Sequence, residues 1–425
     1  MDNFLAFLVV VLAIVAVVTI LNEKFFHLAD EIVLLLFSLA AGVILILLVQ
    51  SSLTPYSTTV VDTISKFRID KILMDGLLCF MLFTGASELK LPSLVHNFKP
   101  ICLLALLTTV ITSVVYGGLF WLVGQALGMS LDFTLCVLLG SIVSPTDPIA
   151  ATSILNKMGL SENVTAIMEG ESLFNDGTGV ALFIFVKNLV NDTKSSNFFL
   201  VMSKELFGAI IMGVLISFIC SIFIKMTLDP IKHIIISMLA VSACYVICDF
   251  LGFSGVIASV VCGIYFSTMM DRYKAKNQDL DPSDYYKDFW AIIDKVLNYF
   301  LYVLIGISFV YVTRIQHLVV IAIAAVIINL VARYVGVLLS TAICRQCPDG
   351  YKIQPLTALM TWSGLKGGLC LALAMQASSF LSGGNYNFIL YVTFVTIIFT
   401  TVVQGLSVGK VFEILKKHHG QSNAR

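Results

Sequence analysis

Charge is scarce in this chain of 425 residues. Asp, Glu, Lys and Arg make up only 12% of it, and 26 acidic side chains balance 26 basic ones. With no basic block, nothing predicts a nucleic-acid partner. Hydrophobic residues account for 58% of the chain and the mean hydropathy is +0.96, well above that of a soluble domain. The composition predicts a protein embedded in the lipid bilayer.

Patterns that mark metal sites and disulfides are missing. The six histidines fall near predicted loops without metal-ligand spacing, and the ten cysteines are scattered through apolar segments as small hydrophobes. One close pair, Cys344 and Cys347, is spaced like a redox or zinc motif but lacks a second pair. The chain also has no HExxH sequence and no histidine deep in an apolar run. We therefore expect no cofactor and no enzyme activity.

Apolar segments of membrane-spanning length follow one another along most of the chain, which predicts about 13 transmembrane helices. No linker interrupts them, so residues 1–412 are expected to form one membrane domain, followed by a short cytoplasmic tail at 413–425. The Lys and Arg bias of the loops places the N-terminus outside and the C-terminus in the cytoplasm of a multi-pass cell-membrane protein. The segments lie near 4–21, 32–49, 72–88, 101–127, 132–156, 164–189, 199–226, 232–249, 254–270, 289–312, 317–343, 354–378 and 386–412.

The sequence SPTDPIA, at residues 144–150, places a carboxylate between two prolines inside an apolar run. Pro145 and Pro148 have no N–H group, so the helix is expected to unwind around Thr146 and Asp147. Unwound backbone at membrane depth must line a cavity or a packed site. The segment then offers carbonyl, hydroxyl and carboxylate oxygens to a small cation. The alternative is a structural kink, in which Asp147 only offsets helix dipoles.

The next apolar helix, with the sequence MEGESLFNDGTGVALF, favours the functional interpretation because polar groups are dense in it. Ser172 and Asp176 are four residues apart and share one face, while Glu171 and Asn175 share the adjacent face. Arg333 lies in another apolar helix and needs a carboxylate partner, for which Glu171 is available. Asp176 is then the carboxylate left to titrate.

A second interruption follows in TWSGLKGGLCLALA, where glycines surround Lys366. Matching broken helices in the two halves of a chain are typical of inverted-repeat secondary transporters, whose site lies where the breaks cross. Asp147 is expected to offset the half-helix N-termini there, and Lys366 the C-termini.

These motifs, in this order, resemble the monovalent cation:proton antiporter-1 family, the NhaP-type and NHE-type sodium/proton exchangers. The resemblance rests on SPTDPIAATSIL, EGESLFNDGTGVALF, VARYVGVLL and WSGLKGGLCLALA and covers nearly the whole chain. It implies an all-α fold with two crossed discontinuous helices, and a homodimer. It also implies an ion-binding core at about 101–190 and 317–412, and a scaffold forming the dimer interface at about 1–100 and 199–312.

The resemblance further implies that Asp176 binds both sodium and the proton. Ser172, Thr146 and Asp147 would be further ligands, directly or through water, and Glu171 with Arg333 a structural ion pair. Glu88, in TGASEL, occupies the place of the family's AGLEL carboxylate and is a candidate additional ligand. The chain departs from the commoner pattern there, and again in having GLKGG instead of GLRGA around Lys366.

One carboxylate that serves two cations enforces exchange by competition, since a proton and Na⁺ (or Li⁺) cannot occupy it together. Asn175 replaces the second aspartate of some relatives, which predicts electroneutral, one-for-one exchange. Potassium/proton or mixed exchange is the alternative within transport, because oxygen ligands alone do not fix the size of the cavity. A cation channel would favour a filter-like repeat, which the sequence lacks. An intramembrane enzyme would need a Ser/His, paired-Asp or HExxH constellation, and the pair Asp147 and Asp176 is better explained by the broken helix.

Overall fold

We describe a computed structural model of the chain. Backbone is described for most of the sequence, including both predicted helix breaks but not Pro148 or Cys347. The described residues are 2–51, 71–89, 91–147, 149–191, 198–276, 282–309, 317–344, 353–381 and 383–422.

Helices account for nearly all of the described residues, and no strand occurs among them. Short helical pieces, four of them π-helical, join or extend the main ones. The main helices are α1 Asp2–Leu21, α2 Asp30–Ser51, α3 Leu78–Glu88, α4 Thr109–Ala126, α5 Phe133–Val143, α6 Ile149–Lys157, α7 Glu162–Val190, α8 Phe198–Ile224, α9 Pro230–Phe250, α10 Gly255–Lys276, α11 Pro282–Ser308, α12 Leu318–Cys344, α13 Ile353–Trp362, α14 Gly368–Gln376, α15 Gly383–Ile398 and α16 Gly405–Ser422.

Every predicted apolar segment coincides with helix in the described parts of the chain, which confirms the all-α membrane fold. Eight helices in the described residues are long and apolar enough to cross a bilayer on their own. Each of the two interrupted segments is split into two helices that are too short to cross a bilayer, so neither segment is among these eight. The total of 13 stays a prediction. Helix α16 runs to Ser422, so most of the predicted tail is helical.

Both predicted breaks are present. Helix α5 ends at Val143 and α6 begins at Ile149, while α13 ends at Trp362 and α14 begins at Gly368. The two breaks meet, because the backbone N–H of Asp147 donates to the carbonyl of Leu365 over 2.9 Å. Two interrupted helices therefore cross at their non-helical centres.

Two apolar cores fill the molecule. The smaller is built from α3 and α8–α11 and packs around the buried Trp290 and Phe266. The larger surrounds the broken helices, with Leu139 and Leu371 among its fully buried members, and also takes in residues of α1 and α2. All cysteines in the described part of the chain are free thiols.

Candidate functional site

Proline at position 145 leaves the end of α5 with carbonyl groups that no backbone N–H can satisfy in the helical way. Side chains take over this role. The Ser144 hydroxyl donates to the Ser141 carbonyl over 3.2 Å. Lys366 Nζ reaches across from the other break and donates to the carbonyls of Ser144, at 3.3 Å, and Pro145, at 3.2 Å. The lysine ammonium therefore lies at the C-terminal end of a half-helix, where the helix dipole favours a cation.

Close approach of the two breaks depends on glycine. A Cβ at Gly367 would lie 2.8 Å from both Cβ and Oδ2 of Asp147, a separation that real Cβ contacts do not reach. The second break is also anchored from outside, since the Lys366 backbone N–H donates to the Thr400 hydroxyl over 3.1 Å. Gly179 on α7 has the same role against the first break, where any side chain would overlap the Pro145 ring.

Asn175 joins the first break to the ion pair beneath it. Its Nδ2 group donates to the Thr146 hydroxyl and to Glu171 Oε1, both over 2.9 Å, and its Oδ1 accepts from the Thr146 backbone N–H over 3.3 Å. Ser172 adds a second anchor, because its hydroxyl donates to the Thr146 carbonyl over 2.6 Å. Three polar groups of Thr146 are thus held by α7 alone.

Glu171 and Arg333 form the ion pair that the sequence suggested. Nη1 and Nη2 of the guanidinium each lie 2.9 Å from a different carboxylate oxygen, the paired geometry that arginine provides and lysine does not. Both residues are only 2% exposed. Glu171 therefore has its donors within the protein.

A cavity of about 870 Å³ has Asp176 in its wall. Its wall contains the five residues predicted to bind the ion, which belong to α3, the first break and α7, together with Pro145 and Gly367. Glu171, Asn175, Arg333 and Lys366 are absent from the wall, as expected for groups that support the site from behind. The five wall residues are Asp176, Asp147, Thr146, Ser172 and Glu88.

Glu88 lies apart from the others in this conformation. It is the exposed last residue of α3, and its electrostatic neighbours are Asp294 and Lys295 on α11, and Glu169 on α7. Those of Asp176 are Asp147, Glu171 and Lys366. Glu88 therefore belongs to the outer cavity, and its role as a ligand stays a prediction.

The cavity wall also contains acidic residues to which the sequence analysis assigned no role. Asp294 accepts hydrogen bonds from the Thr84 hydroxyl, at 2.5 Å, and from Asn298 Nδ2, at 2.9 Å, and Asp30 accepts one from the Tyr299 hydroxyl at 2.6 Å. Neither Asp30 nor Asp294 belongs to a recognisable sequence motif, and the two residues come from different parts of the chain. Only the charge of Asp294, next to Lys295 within an apolar segment, could have drawn attention to it.

The part of the cavity wall formed by the first break and α7 has the chemistry of a cation site. Two carboxylates, two hydroxyls and unwound backbone converge there, and all are hard oxygen donors suited to an alkali or alkaline-earth cation or a proton. Arg333 is paired with Glu171, and Lys366 Nζ donates to the carbonyls of Ser144 and Pro145. These donors suit a mobile cation, and the predicted ligands Asp176 and Asp147 are among them.

The family model for the transmembrane sodium/hydrogen exchanger matches residues 5–414, nearly the full length. The chain belongs to the sodium/hydrogen exchanger family. It is 28% identical over 406 residues to the Na⁺/H⁺ antiporter NhaP of Pseudomonas aeruginosa, covering 94% of each chain. It is also 28% identical over 345 residues to the Na⁺/H⁺ antiporter NhaH of Halobacillus aidingensis, covering 79% of this chain and 81% of that one.

The exchanger fold is shared with a solved structure as well. The sodium proton antiporter MjNhaP1 of Methanocaldococcus jannaschii superposes with a TM-score of 0.75 at 21% identity, covering 97% of both chains. Family membership and fold agree with the resemblance found in the sequence, and they identify the chain as a transporter.

Proposed function

We propose that this exchanger is a secondary antiporter that moves Na⁺ (or Li⁺) in one direction and H⁺ in the other by alternating access. Both cations compete for Asp176. Asp147, Thr146 and Ser172 complete the sodium site, and Pro145 and Pro148 keep the first break unwound. The full-length relatives named as Na⁺/H⁺ antiporters support sodium over potassium as the partner ion.

One observation carries this proposal. Asp176 and Asp147 both line the cavity, at the crossing of the two interrupted helices. Beside them, Glu171 is paired with Arg333, and Lys366 Nζ donates to the carbonyl of Ser144. A polar group inside a membrane is costly and marks an ion path by default. Carboxylates in the wall of such a cavity suit a carrier that binds and releases a cation.

Movement in this proposal takes place between two bodies. The core, at about 101–190 and 317–412, carries both broken helices, and the scaffold, at about 1–100 and 199–312, forms the interface of a homodimer. The smaller apolar core supports this division, because all its members come from scaffold helices. The cavity is lined by residues of both the core and the scaffold. This is expected for a path that opens and closes when the core slides against the scaffold.

The described conformation faces the cytoplasm in this scheme. The cavity includes His27, Glu88 and Lys157, each near a helix end. With the N-terminus outside and spans alternating in direction, all three ends fall on the cytoplasmic side. The segment 271–288, which holds more Lys and Arg than the other loops, and the C-terminal helix fall there too, in agreement with the positive-inside rule.

Transport is tested with purified protein in vesicles that contain a pH dye. Sodium, lithium, potassium or N-methylglucamine is added outside against a proton gradient. We expect sodium and lithium to collapse the gradient, potassium to have a much smaller effect, and Asp176→Asn to be inactive in all four while keeping a wild-type elution volume. A potassium response equal to the sodium response would instead establish a mixed exchanger. Wild-type turnover in Asp176→Asn would overturn the site.

A further inference from the structure

Three polar residues of α7 form a row on one helix face. Glu169, Ser172 and Asp176 are spaced at i, i+3 and i+7, which puts them on the same side of a helix over two turns. All three line the cavity, whereas their neighbours Glu171 and Asn175 do not. With a rise of about 1.5 Å per residue, Glu169 lies about 10 Å from Asp176 along the axis. The row thus follows the cavity wall toward the ion site.

Glu169 is held at this place in the wall by the first broken helix. Its carboxylate is hydrogen bonded to Thr152 of α6, a buried side chain that also lines the cavity. Glu88 of α3 is its electrostatic neighbour. Asp176 has other neighbours, namely Asp147, Glu171 and Lys366. Glu169 is therefore a separate charge on the route and stands outside the Asp176 cluster.

We propose that Glu169 is the approach residue of this exchanger: it attracts the incoming cation to the cavity wall, from where the cation passes Ser172 to reach Asp176. This inference rests on the proposed function. Glu169 belongs to the same helix as Asp176, so it keeps its distance from the site when the core moves. Its carboxylate raises the local concentration of sodium without taking part in the exchange of ion for proton.

The size of the effect follows from Coulomb's law. A unit charge about 10 Å away changes the local cation concentration by about twofold at the dielectric constant of water and by about fifteenfold at an effective value of ~20. In Glu169→Gln we therefore expect the apparent KM for sodium to rise by about twofold to fifteenfold, with Vmax unchanged. Glutamine can still accept the hydrogen bond from Thr152, so the variant removes charge and little else.

Two further variants separate charge from structure. Glu169→Asp keeps the charge and should have a KM close to wild type. Glu162→Gln removes a charge from the first turn of the same helix, outside the cavity wall and about 21 Å from Asp176, beyond the Debye length of ~10 Å at 0.1 M salt. It should leave KM unchanged. Raising the ionic strength with N-methylglucamine chloride should shrink the KM difference between wild type and Glu169→Gln.

The assay is sodium-driven proton movement in vesicles over a range of sodium concentrations, with thermal unfolding of each variant in detergent. A Glu169→Gln variant with unchanged KM, or one that loses Vmax and thermal stability together, overturns the approach role and makes Glu169 a structural residue. Failure of the proposed function is distinguishable, because wild type itself would then move no protons when sodium is added.

Discussion

Removing one member of the Glu171–Arg333 pair should destabilise the protein strongly. Glu171 Oε1 accepts from Arg333 Nη1 and from Asn175 Nδ2, and Oε2 accepts from Arg333 Nη2, all over 2.9 Å. Arg333→Gln removes both guanidinium donors and leaves a carboxylate that is 2% exposed with Asn175 as its remaining donor. Breaking a buried pair in this way costs about 3–5 kcal/mol.

The double variant distinguishes a buried ion pair from two independent packing defects. Glu171→Gln/Arg333→Gln replaces both charges with neutral amides, so no uncompensated charge remains in the interior. We expect it to be more stable than Arg333→Gln alone, which corresponds to a positive coupling in a double-mutant cycle. Because Glu171 and Arg333 lie outside the cavity wall, the double variant should also retain measurable sodium-driven proton movement.

The assay is thermal unfolding of the four proteins in one detergent, followed by tryptophan fluorescence. Arg333→Gln and Glu171→Gln should both unfold at a lower temperature than wild type. The double variant should unfold at a higher temperature than Arg333→Gln alone. Single variants that unfold at the wild-type temperature would refute the reasoning. A double variant whose loss of stability equals the sum of the losses in the two single variants would refute it as well, since the two charges would then not interact.

Three other outcomes follow from the site. Asn175→Asp places a carboxylate against Glu171 and removes the N–H donor to Thr146, so it should lower the unfolding temperature, a result checked by thermal unfolding in detergent. Gly367→Ala should lose exchange because a Cβ there meets Asp147, while the matched Gly118→Ala, with open space around its Cβ, should keep wild-type rates in the vesicle assay. Exchange should be electroneutral. The end point of sodium-driven proton movement should therefore be equal at a membrane potential of zero and at one of about 100 mV set by valinomycin. If net charge were transported, this potential would change the driving force by about 2.3 kcal/mol per charge and shift the end point.

The parts of the site that depend on covalent chemistry could be predicted from the sequence. Proline cannot donate a backbone hydrogen bond, so a break in this helix was expected from Pro145 and Pro148 in the sequence. A guanidinium in an apolar helix needs a carboxylate, and Arg333 and Glu171 do pair. The i, i+4 spacing correctly put Asn175 beside Glu171. The role of Lys366 at the half-helix C-terminus also followed from its charge.

Other features depend on packing that local patterns do not encode. The shape of the cavity is the space left between helices far apart in sequence, so its wall residues Glu169 and Asp294 were not recognised as related. The position of Glu88 relative to Asp176 depends on how α3 packs against α7, a tertiary contact. The bridging hydrogen bonds of Asn175 to Thr146 require the depth of contact between α7 and the break, which no spacing rule provides.

The central claim is that sodium and the proton compete for the carboxylate of Asp176. It is tested most directly by adding sodium to purified protein in a weakly buffered detergent solution and recording proton release with a pH dye. Binding a cation to a protonated carboxylate must expel the proton, so we expect about one proton per bound sodium ion, with none released by N-methylglucamine or from Asp176→Asn. Sodium binding by the wild type without proton release, or equal release from Asp176→Asn, would contradict the account.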